Sequence, residues 1–61
     1  MATLTAKELS AIEDQLGVES NVIKKYRMYA QACQDPTLRM KCEEIAAKHQ
    51  NHFDTLIQHL S

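Results

Sequence analysis

Three ionisable residues occupy positions where helical spacing predicts apolar side chains. Glu19 falls in the apolar register of the first half of the chain, and His49 and His52 fall in that of the second half. Because histidines three residues apart share one face of a helix, their imidazoles can act together. A carboxylate and imidazoles that converge between helices can bind a transition metal, with zinc or iron as the candidates. Two alternatives remain: a metal-free polar layer that fixes helix register, or side chains that do not converge.

The pattern differs from that of the di-iron bundle enzymes. Those sites use a glutamate three residues before a histidine on the same helix. Here Ala46 stands three residues before His49, which leaves too few carboxylates for that chemistry and favours zinc over an iron pair. The serines and threonines have no base arranged to activate them as nucleophiles. The sequence therefore predicts a protein that is not an enzyme.

The residues above must be positioned by helices, and the signals for helix ends are clear. Thr5 and Glu8 have the spacing of a capping box. Asp35 followed by Pro36 combines a preferred N-cap residue with a proline suited to the first helical position. The same proline disfavours helical geometry at the residue before it, so the first helix must end there. We predict one domain over 1–61: a helix over about 5–34, a turn at Asp35 and a helix over about 36–60.

Apolar residues recur in alternating steps of three and four in both halves, which is typical of helices that pack against partners. The register passes through Gly17 unshifted, so a continuous first helix is expected. A short turn makes the helices antiparallel, and residues at the same height then have numbers that sum to roughly 70. This rule places Glu19 between His49 and His52. The residues predicted to form the core or a dimer contact are Leu9, Ile12, Leu16, Ile23, Tyr26, Ile45, Phe53 and Leu56.

Size and charge restrict the partners of such a hairpin. A 61-residue chain is short for a self-sufficient core, and wide apolar helix faces mark association surfaces. We therefore expect an all-α antiparallel hairpin that forms a homodimer, giving a four-helix bundle. A net charge of −1 argues against nucleic acid as a partner. Since no apolar run approaches the ~20 residues of a membrane span and no signal peptide is visible, a cytoplasmic protein without a membrane partner is expected.

The chain also resembles a known family over nearly its whole length. The segments that carry the resemblance are Leu4-Thr5-Ala6-Lys7-Glu8-Leu9, Ile12-Glu13-Asp14, Glu19, Lys25-Tyr26, Tyr29-Ala30, Asp35-Pro36 with Leu38, and Lys48-His49-Gln50-Asn51-His52-Phe53. In these segments the chain resembles a single-hairpin member of the coat-F-type spore coat proteins of spore-forming Firmicutes. The resemblance implies a ferritin-like helical architecture, a structural role in sporulation, other spore coat proteins as partners and a location in the spore coat.

Three functions follow as hypotheses. The first is a non-enzymatic, self-associating protein of the coat-F type. The second is a metal-binding ferritin-like protein whose ligands are Glu19, His49 and His52. The third is a small adaptor whose hairpin docks on a different protein, because an apolar helix face can bind another protein as well as a second copy of the chain.

Overall fold

The computed structural model describes residues 4–60, which form a two-helix hairpin. Helix α1 spans Ala6–Ala32 and helix α2 spans Pro36–Gln58. No β-strand occurs in the described part of the chain. The predicted all-α antiparallel hairpin is confirmed, although both helices end slightly before the predicted limits. Over residues 4–60, neither helix is long and apolar enough to cross a membrane.

Helix α1 begins with the predicted capping box. The Glu8 backbone N–H donates to the Thr5 hydroxyl at 3.0 Å, and the Thr5 backbone N–H donates to the Glu8 carboxylate at 3.0 Å. Two backbone donors at the helix start, which have no partner inside the helix, are thereby satisfied. The first turn of α1 is therefore fixed by its own sequence.

The turn between the helices is held from both sides. The Asp35 carboxylate accepts from the backbone N–H groups of Thr37 at 2.8 Å and Leu38 at 3.3 Å. The Arg39 guanidinium donates to the Cys33 carbonyl from Nε at 3.2 Å and from Nη2 at 2.8 Å. That carbonyl lies just past the end of α1, where helix carbonyls lack helical partners. These bonds fix where α2 starts relative to where α1 ends.

The interhelical core is small. Among the described residues, the apolar ones that are at least nine-tenths buried are Ile23, Ala30 and Ala46. Leu9, predicted for the core or dimer contact, is exposed near the open end of the hairpin. The other predicted positions are partly buried between the helices: Ile12, Leu16, Tyr26, Ile45, Phe53 and Leu56. A hairpin with so few buried side chains gains little stability from its own core.

Gly17 lies inside α1, which continues through it as expected. A Cβ at Gly17 would meet nothing within 4 Å, and the residue does not have a positive φ. Alanine therefore fits without strain and reduces the conformational freedom of the unfolded chain. We expect Gly17→Ala to raise the free energy of unfolding by roughly 0.5–1 kcal/mol in urea denaturation followed by circular dichroism.

The matched control for this prediction is the reverse change at an exposed helical position of α2. Ala47→Gly should lower the free energy of unfolding by a similar amount, because Ala47 is exposed within α2. If Gly17→Ala destabilised the protein instead, the Gly17 backbone would have to be in contact with a second chain.

Candidate functional site

The three polar residues of the predicted seam meet between the helices. The Nδ1 atom of His49 lies 2.6 Å from Oε2 of Glu19, and Nδ1 of His52 lies 3.7 Å from Oε1 of the same carboxylate. The convergence expected from the sequence is therefore present. It follows from the tight turn, which sets the register of α2 against α1, and from the one-turn spacing of the two histidines.

Glu19 is held by a further side chain that the seam pattern did not predict. Gln15 donates from Nε2 to Oε1 of Glu19 at 3.2 Å. The two residues are four apart on α1, a spacing that places side chains side by side on a helix. Both oxygens of the carboxylate are therefore engaged by hydrogen-bonding groups. Over residues 4–60, no buried side-chain nitrogen or oxygen lacks a partner.

The exposure of the three side chains increases in steps from the carboxylate outwards. Glu19 has 8% of its side chain exposed, His49 29% and His52 51%. The two imidazoles contact edge to face, with ring centroids 5.4 Å apart and planes at 80°. The carboxylate is thus enclosed between the helices, while the cluster opens to solvent through His52.

The surroundings of Glu19 favour its ionised form. The hydrogen bond from His49 lowers the pKa of the carboxyl group below its ordinary value, and burial opposes this by raising it. The hydrogen bond from Gln15 and the charges of the two histidines lower the pKa further, and the net effect is a decrease. A buried carboxylate with these partners can serve either as the centre of a polar layer or as a metal ligand.

This lowered pKa predicts a pH dependence of stability. Because the pKa of Glu19 is lower in the folded state, ionisation stabilises the fold above the unfolded value near 4.5, and that stabilisation is lost as the pH falls through the folded value. We expect the melting temperature of the wild type, in buffer with a chelator, to fall more steeply below pH 4.5 than that of Glu19→Gln. Parallel curves would contradict this. The pKa of Glu8 is also lowered, but Glu8 is present in both proteins. Its contribution therefore cancels when the melting temperatures of the variant are subtracted from those of the wild type.

Other residues capable of chemistry do not join the cluster. His59, the third histidine, caps the end of α2 and is exposed. The thiols of Cys33 and Cys42 are free and partly exposed. Within residues 4–60, Glu19, His49 and His52 are the group of three metal-ligating residues whose ligand atoms all lie within 4.8 Å of one another.

Comparisons with known proteins do not assign a function to this site. No family model matches the chain, and no solved structure matches it. The chain is similar to the "Uncharacterized protein YuzM" of Bacillus subtilis (strain 168), with 27% identity over 59 residues. That alignment covers 97% of this chain and 73% of the relative. The name of this relative states no activity, ligand or partner.

Proposed function

We propose that this protein is a non-enzymatic structural protein that acts by self-association, with two hairpins forming a four-helix bundle. The observation that carries the proposal is the large surface that a single hairpin leaves exposed. Its accessible area is 4867 Å². A compact monomer of 7.0 kDa would expose about 4,000 Å².

The excess, roughly 800 Å² per chain, matches the area that each partner buries in a standard protein interface. The shape agrees with this. The radius of gyration is 14.5 Å and the extents are 47 × 17 × 11 Å. A compact chain of 61 residues would have a radius of gyration of about 10.5 Å. A second hairpin laid alongside would supply the missing thickness.

One side of the hairpin suits this contact better than the other. Helical geometry aligns Val18, Val22 and Tyr29 along one edge of α1, and Val18 and Tyr29 are exposed. The Tyr29 ring contacts Tyr26 edge to face, with centroids 5.7 Å apart, so it is a partly ordered aromatic anchor. The opposite side of the hairpin is crossed by a polar contact, in which Arg27 donates to Gln50 at 3.2 Å.

A second copy of the chain is the partner that these features favour. The net charge of −1 means that two copies repel each other only weakly. Two-fold homodimers are also the commonest oligomers, and a two-fold contact needs only one self-complementary patch. Such an apolar edge in the middle of the hairpin meets that requirement.

The biological setting that we propose is the one implied by the resemblance to coat-F-type proteins: assembly with other coat proteins during sporulation. A dimer of hairpins suits a structural layer, since it presents the same outer surface twice and can connect two other coat proteins. Immunoblotting of coat extracts and of the mother-cell cytosol from the organism that makes the protein tests this part. Detection in the cytosol alone would remove the coat location and leave self-association standing.

Sedimentation equilibrium of the untagged protein tests self-association directly. We expect the mass of a dimer at micromolar concentration and reversible dissociation on dilution. A folded, helical monomer over the whole range would overturn the proposal and favour an adaptor that docks on a different protein.

A further inference from the structure

The cluster of Glu19, His49 and His52 has a use beyond fixing the register of the helices. We propose that these three side chains bind one divalent transition-metal ion of the zinc type between α1 and α2. This inference does not depend on self-association, because all three ligands belong to one chain. The cluster could act as a polar layer or as a metal site, and the metal site is the role proposed.

The spacing of the ligand atoms is close to that of a bound metal. Zinc bonds of about 2.0–2.2 Å in a tetrahedron place neighbouring ligand atoms roughly 3.3–3.6 Å apart. Nδ1 of His49 lies 2.6 Å from Oε2 of Glu19, Nδ1 of His52 lies 3.7 Å from Oε1, and the three ligand atoms all lie within 4.8 Å of one another. Small rotations of these side chains would therefore bring one oxygen of Glu19 and one nitrogen of each histidine to tetrahedral spacing around an ion.

The donor set selects the class of ion. Imidazole nitrogens suit zinc, copper, nickel and iron, whereas magnesium and calcium prefer sites made of oxygens. Two imidazoles and one carboxylate match the three-ligand zinc sites that keep a fourth position for water. With half of the His52 side chain exposed, an ion can enter from solvent and that water can be accommodated.

The scaffold holds the ligands before any ion arrives. The capped turn fixes α2 against α1, the bond from Gln15 orients the Glu19 carboxylate, and the imidazoles already face it. Groups that orient metal ligands in this way raise metal affinity. Metal binding replaces the hydrogen bond between His49 and Glu19, so the ring nitrogen that faces the carboxylate gives up its proton to the other ring nitrogen or to solvent.

The proposal is tested by calorimetric titration of Zn²⁺ into the full, untagged chain after chelator treatment. We expect one zinc ion per chain. In His52→Gln the affinity for zinc should fall by at least about tenfold, because loss of a group that only orients a ligand already lowers metal affinity by about that much. His59→Gln is the matched control, since His59 lies outside the cluster, and it should bind zinc like the wild type. Mg²⁺ should not compete.

A spectroscopic readout separates the cluster from the thiols. Co²⁺ in place of Zn²⁺ should give visible absorption typical of nitrogen and oxygen ligands at low coordination number, lost in His52→Gln and in His49→Gln. Each variant should first give the circular dichroism of the wild type. Because half of the His52 side chain is exposed, His52→Gln is the variant expected to keep the fold. His49→Gln then tests the second imidazole ligand.

Three results would overturn the proposal. These are the absence of stoichiometric zinc binding, zinc binding unchanged in His52→Gln, and a thiolate-to-cobalt charge-transfer band, which would place the ion on Cys33 or Cys42. Any of them would leave the cluster as a hydrogen-bonded polar layer. Because sedimentation equilibrium is independent of this titration, a metal-free dimer would remove the metal site and leave self-association intact.

Discussion

Replacing Ile23 with alanine is expected to remove a large share of the protein's stability. Ile23 is the largest of the well-buried apolar side chains among residues 4–60, and the other two are alanines. Truncating a buried isoleucine costs about 2–5 kcal/mol. A chain of 61 residues has only about 3–9 kcal/mol of stability in total. The loss is thus about half of the whole stability.

Urea denaturation followed by far-ultraviolet circular dichroism measures this effect. Met28→Ala is the control, because Met28 belongs to the same helix but is 66% exposed. Its change in free energy of unfolding should stay within about 0.5 kcal/mol. Equal midpoints for the two variants would mean that the interhelical contact at Ile23 does not support the fold.

A glutamate at Val18 is expected to abolish self-association. Val18 belongs to the apolar edge proposed for the dimer contact, so association would bury one added carboxylate from each chain. Burying a charge without a partner costs several kcal/mol. The dimer dissociation constant should therefore rise by about 100-fold or more in sedimentation equilibrium.

The matched substitution is Met28→Glu. Both residues are exposed apolar side chains of α1, with 53% of Val18 and 66% of Met28 accessible, but helical geometry places Met28 on the side away from α2. Met28→Glu should dimerise like the wild type. If the effects of the two substitutions were exchanged, the hairpins would meet through their outer faces rather than along the Val18 edge.

The features that could be predicted from sequence are those set by local chemistry. Thr5 and Glu8 define the start of α1, and Asp35 defines the start of α2, because a cap needs only residues within one turn of the helix. The meeting of Glu19 with the histidines was also predictable. A turn this short leaves one antiparallel register, so seam positions can be matched by number across it.

The features that were missed depend on long side chains. Gln15 reaches Glu19, and Arg39 reaches the Cys33 carbonyl, only because the surrounding structure selects one of many rotamers for each. Leu9 is exposed in the single hairpin, so its place in the core or in a dimer contact stays a prediction. A heptad pattern identifies the face of a helix, but it does not say whether a partner helix covers that face near the open end of a hairpin.

Because hydrogen bonds fix the turn, the number of residues between the turn and each member of the polar cluster determines whether the cluster forms. Each residue advances a helix by about 100°. A single insertion between Glu19 and the turn would rotate the carboxylate away from α2. An insertion between the turn and His49 would rotate the two imidazoles away from α1. Length changes before Glu19 or after His52 would leave the cluster aligned. Natural variation in chain length should therefore be confined to the two ends of the sequence, while the stretch from Glu19 to His52 keeps a constant number of residues.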